Sequence, residues 1–381
     1  MARYAYLDCA ASTPVRPSAI AAMEPFLRDR FGNPSGGHAA ARDARSALED
    51  AREAVAAALG AGPHDVVFTS GGTEADNLAV RGVAARRGGV AVCPGTEHHA
   101  VLDPVRHLGG RLVPVLPSGR VDLDALAASL GPDVSIVSVM AANNETGVIE
   151  ALDEVAAVVR EHAPAAVFHT DAVQAVCWTD VAAACRVADL VSISAHKFGG
   201  PKGVGALVVR PGVQLEPLLL GGGQEEERRG GTHNVAGAVA LADALTATVG
   251  DRTAALARVS ALRDRLEDGL VEAVPGLVPT SERSIRTVGM CHLVIEGIVS
   301  EMLLLLLEEG GVLASAAASC ASGAMEPSHV LAAMGYPREQ AQGSLRLSLG
   351  HETQEWEVDR ALDVLPGSVA RLRRTAEAAL S

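Results

Sequence analysis

The fold is decided by residues 134–171, VSIVSVMAANNETGVIEALDEVAAVVREHAPAAVFHTD. Two β-rich runs, VSIVSVM at 134–140 and AVFHTD at 166–171, flank LDEVAAVVREHA at 152–163, which has the apolar spacing of a helix. A strand, a helix and a second strand in this order form the unit from which parallel sheets are built. We therefore expect an α/β fold.

The same alternation continues along the chain in both directions. Five further β-rich runs are DVVFTS at 65–70, VAVC at 90–93, RLVPVL at 111–116, DLVSIS at 189–194 and VGALVV at 204–209. Together they predict a large domain, residues 15–250, with a mostly parallel, seven-stranded sheet flanked by helices. Residues 39–59 predict an amphipathic helix that ends at Gly60. A long helical stretch at 256–274 and mixed elements after it predict a smaller α+β domain, formed by residues 1–14 and 251–381.

Composition narrows the class of protein. The 381 residues carry a formal net charge of -14, which argues against a nucleic-acid-binding surface or a polybasic membrane anchor. The strongest apolar run, Met302 to Leu307, is far shorter than the roughly 20 residues of a membrane span, and no signal-like leader is present. The six cysteines are scattered without CxxC pairs. We expect a soluble, cytoplasmic protein.

The chain has only two lysines, Lys197 and Lys202, both in SAHKFGGPKG at 194–203. This segment follows a predicted strand and includes Ser194 and His196. A lysine in a desolvated, cationic pocket becomes a Schiff-base nucleophile, whereas an ordinary lysine is a solvated surface group. The surface alternative fits Lys202 better, because Lys202 lies inside the glycine-rich turn.

Polar residues also follow other predicted strands. In FTSGGTEADN, Gly72 and Thr73 lie where a helix N-terminus can bind a phosphate, although such a turn is often only a tight connection. In FHTDAVQ, the Asp171 carboxylate could keep a pyridine nitrogen protonated and Gln174 could bind a ring hydroxyl. The alternative is that Asp171 caps a helix.

Three more segments are candidates for chemistry. His98 in PGTEHHAV could stack on an aromatic cofactor or move a proton, or be an ordinary histidine; no third ligand follows, so we expect no metal site. Asn143 and Asn144 follow another strand, where asparagine also stabilises turns. Cys320 lies in the small-residue tract SAAASCASGAMEPSH at 315–329, which predicts an exposed loop with a reactive thiol; the alternative is a packed cysteine.

Ten motifs in order along the chain are similar to those of one family. They are YLDCAASTP at 6–14, FGNPSGGH at 31–38, SGGTEADN at 70–77, TEHHAV at 96–101, NNETGV at 143–148, HTDAVQ at 169–174, SAHKFGGPKG at 194–203, RRGGTHNVAG at 228–237, SCASGAMEPSH at 319–329 and LRLSLG at 345–350. The sequence resembles the cysteine desulfurases of the NifS/IscS group of class V aminotransferases, which have the fold of type I pyridoxal-phosphate enzymes.

The resemblance implies a role for each matching residue. Lys197 corresponds to the lysine that binds pyridoxal phosphate covalently, Asp171 to the partner of its ring nitrogen, Gln174 to the residue at its ring hydroxyl and His98 to the stacked imidazole. Residues implied at the phosphate are Gly72, Thr73, Ser194, His196 and, from a second subunit, Thr232. Residues implied at the substrate carboxylate are Asn144 and Arg346, and Asn144 is also implied at the cofactor. Cys320 corresponds to the catalytic cysteine.

The implied reaction removes sulfur from L-cysteine, releases L-alanine and leaves a persulfide on Cys320 for an acceptor protein, with His98 as a candidate proton acceptor. The loop at about 314–326 has the length of the long-loop branch. The chain departs from the family pattern at Cys9, Ser319 and His351. Its C-terminus lacks the extension with which housekeeping members dock an iron–sulfur scaffold, so a dedicated acceptor is an alternative.

Two other functions remain open on the same scaffold. One is a different pyridoxal-phosphate reaction, such as selenocysteine lysis, C–S lysis or amino-group transfer. The other is a non-catalytic sulfur-relay or binding protein. A nucleotide-binding role is not expected, because no GK[ST] follows the glycines at 71–72.

Overall fold

The computed structural model describes residues 4–316 and 327–380. In these residues the strands are β1 Ala5–Tyr6, β2 Val66–Thr69, β3 Val90–Pro94, β4 Arg111–Val113, β5 Val134–Ser138, β6 Val167–Asp171, β7 Leu190–Ser194, β8 Gly205–Val209, β9 Leu277–Pro279, β10 Met290–Ile295, β11 Val312–Leu313 and β12 Ser344–Ser348. The helices are α1 Pro17–Arg28, α2 Ala39–Leu59, α3 Gly72–Arg87, α4 His99–His107, α5 Leu123–Ser129, α6 Leu152–His162, α7 Val181–Ala184, α8 Val235–Ala273, α9 Ser300–Glu309, α10 His329–Ala333, α11 Arg338–Ala341 and α12 Glu355–Leu380. None of these helices is long and apolar enough to cross a bilayer.

A seven-stranded sheet forms the centre of the fold, in the order β2-β8-β7-β6-β5-β3-β4. Only β8 runs antiparallel to its neighbours, β2 and β7. Each of the seven predicted β-rich runs supplies one of these strands. The predicted α/β class with a mostly parallel sheet is therefore confirmed.

Helices cover both faces of this sheet. On β2, Val66 and Phe68 join a core cluster with α2, whereas Val67 joins a second cluster with α3. Successive side chains of a strand point to opposite faces, so a run that is apolar at every position needs helices on both sides. The helix α2 has the predicted bounds and ends at Gly60, whose φ of 63° is the left-handed conformation that glycine adopts easily.

A second apolar core surrounds the antiparallel sheet β12-β10-β9 and the parallel pair β1-β11. The helix α8 connects the two cores, because Leu241 and Leu245 pack in the first and Leu266 and Leu270 in the second. The predicted boundary near residue 250 thus falls inside a continuous helix. The division into residues 15–250 and the two flanking segments stays a prediction.

Candidate active site

One cavity of about 260 Å³ collects the polar side chains that follow the strands of the large sheet. The strands β2, β3, β5, β6 and β7 run in the same direction, so the segments after them meet at one edge. Nine of the ten residues predicted to bind a cofactor line this cavity: Gly72, Thr73, His98, Asn144, Asp171, Gln174, Ser194, His196 and Lys197.

Lys197 ends a short 3₁₀ turn that follows β7. Its Nζ donates hydrogen bonds to the carbonyl oxygens of Ala10, at 2.5 Å, and Ala11, at 3.0 Å. Burial and the positive charge of Arg346 lower the pKa of Lys197 to about 8, although Asp171 acts in the opposite direction. The amine is therefore partly neutral near neutral pH, which a nucleophilic lysine requires.

Asp171 ends β6 and is almost fully buried. Burial raises the pKa of its carboxyl, while the N–H of Val173, which donates to Oδ1 at 2.8 Å, and the charge of Lys197 lower it. The backbone bond from Val173 belongs to a turn, because no helix begins directly after Asp171 in the described residues, so the helix-cap alternative is wrong and the carboxyl lines the cavity. Gln174 is anchored to the same wall, because its Nε2 donates to the carbonyl of Ala10 at 2.7 Å.

The start of α3 forms one corner of the cavity. The first N–H groups of a helix have no intrahelical partner, and here they belong to Gly72 and Thr73. A Cβ at Gly72 would lie 2.9 Å from Cγ2 of Val173 and 3.4 Å from Cβ of Ser194, so only glycine lets the helix start this close to β7. His196, mainly through burial, has a pKa lowered to about 4 and is neutral.

His98 precedes α4 and caps it, because its Nδ1 accepts a hydrogen bond from the N–H of Ala100 at 3.1 Å. Burial and the charge of Lys197 lower the pKa of His98 to about 4. The neutral ring therefore carries its proton on Nε2. This arrangement favours donation by His98; proton acceptance from Cys320 stays a prediction. The described residues contain no group of three His, Cys, Asp or Glu side chains that could bind a metal ion.

Arg346, on β12, contacts the wall of the cavity by a hydrogen bond to Asn144. Its Nη1 donates to the Asn144 carbonyl at 2.9 Å, and its Nη2 to Oδ1 of Asp8 at 2.8 Å. Within the described part of the chain, Nε of Arg346 and Oδ1 of Asn144 are buried without a hydrogen-bond partner. Buried polar atoms normally have partners, so these two atoms mark a place where a polar ligand fits.

Among the described residues, two predicted site residues do not line this cavity, Arg346 and Thr232. Thr232 is exposed and is not part of the cavity wall. Cys320 lies outside the described residues. Described residues before and after it lie near the site. The backbone of Ser315 forms a β-bridge with that of Arg346, and the hydroxyl of Ser328 donates a hydrogen bond to Oε2 of Glu145.

The unusual Cys9 lies beside the site in a small cavity of about 20 Å³, which Cys177, Lys197 and His351 also line. Burial raises the pKa of Cys9 and of Cys177 to about 12. Both thiols are therefore protonated and unreactive at neutral pH. His351, where arginine is common, is neutral because burial lowers its pKa to about 4.

Two carboxyl groups of the site, those of Asp8 and Asp76, have no role in the sequence-based prediction. Asp8 pairs with Arg346, and Asp76 lines the cavity next to Asp171. Both residues belong to motifs quoted above. Asp76 is also unusual because it is an acidic residue between the apolar Ala75 and Leu78 on a buried face of a helix. Their partners lie 338 and 95 positions away in sequence, so no local pattern could identify them.

The fold and the cavity together define an α/β protein with a lysine-centred ligand site. The model of the family "Aminotransferase class-V" matches residues 5–361. An "IscS-like cysteine desulfurase" from Mycobacterium tuberculosis is 44% identical over 390 residues, covering 98% of this chain and 98% of the relative. The solved structure "NIFS-LIKE PROTEIN" has a TM-score of 0.90 at 34% identity, covering 97% of this chain and 100% of its own. The structure "SspA in complex with cysteine" has a TM-score of 0.78 at 30% identity, covering 92% and 99%. This chain belongs to the class-V aminotransferase family.

Proposed function

We propose that this protein is a cysteine desulfurase, which removes sulfur from L-cysteine with pyridoxal phosphate as cofactor and releases L-alanine. The observation that carries the proposal is the joint placement, in one cavity, of Lys197 with a lowered pKa and the buried carboxyl of Asp171. The relative that matches this chain over its whole length and is named a cysteine desulfurase supports the same reaction.

The cavity has the polar groups that pyridoxal phosphate requires. The N-terminus of α3, with Ser194 and His196, would hold the phosphate, because free helix N–H groups bind anions. Asp171 would pair with the ring nitrogen, Gln174 with the ring hydroxyl, and Lys197 would bind covalently. The missing side chain at Gly72 keeps this corner open. When bound, pyridoxal phosphate withdraws electrons from the substrate carbon that carries the amino group.

Arg346 and Asn144 would hold the substrate carboxylate. Nε of Arg346 is buried and free of any hydrogen bond to the described residues, and Asp8 fixes Nη2, so the guanidinium is oriented before the substrate arrives. Lys197, once released from the cofactor, would take the proton from the substrate Cα as a neutral amine.

Cys320 would receive the sulfur. Its thiolate would attack the substrate sulfur: an S–S bond forms, the C–S bond breaks with its electron pair left on the substrate, whose Cβ takes up a proton on the way to alanine, and a persulfide stays on the enzyme. The supporting observation concerns the flanks: Ser315 bridges to Arg346, and Ser328 bonds to Glu145, the neighbour of Asn144. The described residues Ser315 and Ser328, which precede and follow the segment that contains Cys320, therefore lie beside the groups proposed to hold the substrate.

Partners and location follow from the same proposal. We propose a homodimer in which Thr232 contacts the phosphate bound by the other subunit, because Thr232 is exposed and outside its own cavity. The persulfide would pass to a sulfur-acceptor protein. A cytoplasmic location fits a chain with scattered cysteines.

The test is alanine formation from L-cysteine and a reductant with pyridoxal phosphate present. Wild type, Cys320→Ala and the matched control Cys185→Ala are compared; Cys185 is buried in the large-domain core, away from the cavity. We expect alanine from wild type and from Cys185→Ala only. Alanine from Cys320→Ala as well would favour another C–S or C–Se lyase, and pyruvate or amino-group transfer without alanine would favour an aminotransferase. No cofactor absorbance in any variant would favour a non-catalytic binding protein.

A further inference from the structure

The proposed mechanism leaves Asp76 without a role. It lies in the second turn of α3, four positions after Gly72, and is only 1% exposed. Ala75 and Ala79 beside it belong to an apolar core cluster, so a carboxyl group here is costly to bury as an anion. Its Oδ1 accepts no hydrogen bond from the described residues.

The carboxyl of Asp76 meets that of Asp171 within hydrogen-bonding reach, and both groups line the same cavity. The hydroxyl of Ser192 on β7 acts in the opposite direction to burial and lowers the pKa of Asp76. Two buried carboxyl groups this close cannot both be charged, because the repulsion adds to the cost of desolvation. One proton must therefore lie between Asp76 and Asp171.

The surroundings decide which of the two carries that proton. Asp171 accepts the N–H of Val173 and faces the amine of Lys197, and both favour its charged form. The carboxyl of Glu97 acts on both groups, but no cation lies beside Asp76 among the described residues. These contacts favour ionised Asp171 and neutral Asp76.

His169 on β6 does not supply a charge to this pair. Burial lowers the pKa of His169 to about 3, so its ring is neutral. Its Nδ1 and Nε2 bond to the hydroxyl groups of Ser138, at 2.7 Å, and Ser192, at 2.9 Å. The gap of 3.6 Å between Nε2 and Oδ1 of Asp76 is too long for a hydrogen bond. The groups that face Asp76 are thus Asp171, Glu97, Ser192 and this neutral imidazole.

We propose that Asp76 is a positioning residue: as a neutral carboxylic acid it donates a hydrogen bond to Asp171 and keeps that carboxylate ionised and oriented toward the cofactor ring nitrogen. This inference rests on the proposed function, since it assigns the ring nitrogen of pyridoxal phosphate to Asp171. Removing the donor makes Asp171 more basic, and the proton shared with the ring nitrogen shifts toward the carboxyl. Asparagine at position 76 keeps a donor, whereas leucine of similar size removes it.

The experiment measures the protonation of the ring nitrogen directly. Holoenzymes are loaded with pyridoxal phosphate that carries ¹⁵N in the ring, and its NMR shift is followed against pH in wild type, Asp76→Asn and Asp76→Leu. We expect a protonated nitrogen in wild type and Asp76→Asn. In Asp76→Leu we expect the ¹⁵N shift to move toward that of the unprotonated ring even below the deprotonation midpoint, because the ratio of N–H to O–H forms falls about tenfold, the size of one lost hydrogen bond to a charged group. If Asp76→Leu does not fold, Asp76→Ala removes the donor without adding bulk.

Borohydride reduction traps the covalent link between Lys197 and pyridoxal phosphate. Detection of this link distinguishes a failure of the proposed role of Asp76 from a failure of the proposed function. A wild type that loads, with the same ¹⁵N shift in the Leu or Ala variant at every pH, would overturn the role of Asp76 and leave the proposed function intact. A wild type that never loads at Lys197 would overturn the proposed function and this inference with it.

Discussion

The lowered pKa of Lys197 predicts an amine that reacts far faster than an ordinary lysine. At pH 7.5 a pKa of about 8 leaves about a quarter of the amine neutral, whereas the usual 10.5 leaves about one molecule in a thousand. The neutral fraction is thus raised about 200-fold. Burial is the largest cause and the charge of Arg346 the second, so Arg346→Gln should move the midpoint upward.

The chain offers an unusually clean assay, because Lys197 and Lys202 are its only lysines. The cofactor-free protein is labelled for a short time with a small acylating reagent at a series of pH values, and peptide mass spectrometry gives a rate for each lysine. The rate at Lys197 should rise with pH through a midpoint near 8 and then level off. Lys202, which is exposed, serves as the internal reference for access and reagent decay.

Burial also slows access of the reagent, so the midpoint rather than the absolute rate is the decisive quantity. A midpoint at pH 10 or above for Lys197 would show that burial and Arg346 do not lower its pKa. An unchanged midpoint in Arg346→Gln, with a folded protein, would remove Arg346 from the explanation.

Three further predictions concern the substrate, the cofactor and stability. Arg346→Lys should raise KM for L-cysteine about 30-fold with a smaller change in kcat, because a lysine cannot replace an oriented guanidinium; an unchanged KM would contradict the carboxylate site. Gly72→Ala should weaken pyridoxal phosphate binding about tenfold in a fluorescence titration, because the new Cβ would lie 2.9 Å from a neighbouring side chain; unaltered affinity would contradict the close approach. Burial alone would raise the pKa of Glu225, but hydrogen bonds from His233 and Arg52 hold this pKa at about 2. The carboxylate therefore stabilises the fold fully at pH values above 4.5, the usual pKa of a glutamate, and this stabilisation is lost as the pH falls toward 2. Arg52→Met should therefore cost about 3–5 kcal/mol in urea unfolding at pH 7 and less at pH 3, and an equal cost at both would contradict the ion pair.

Much of the fold could be read from local patterns. Seven β-rich runs became the seven strands of one sheet, because a buried strand is recognised by its own apolar side chains. The helix at 39–59 has its predicted bounds, since its apolar spacing and its terminal glycine act within a few residues. Nine cofactor candidates line one cavity, because the carboxyl ends of parallel strands meet at one edge.

The domain boundary could not be predicted from local sequence patterns. Residues 235–273 form one helix, whereas we predicted a boundary near residue 250 because the order of the predicted elements changes there. Leu241 packs in one core and Leu266 in the other, and only the packing of both ends shows that the helix continues. Local propensity has no information on which core a helical turn will contact.

The sequence by itself determined the secondary-structure order, the lysine-centred chemistry and the resemblance to one family, because each depends on residues that are close along the chain. The tertiary structure decided the electrostatics. The pairing of Asp76 with Asp171, the ion pair of Asp8 with Arg346 and the lowered pKa of Lys197 all join residues that are distant in sequence. Charge interactions and desolvation depend on distance and burial in space, which only the folded chain sets.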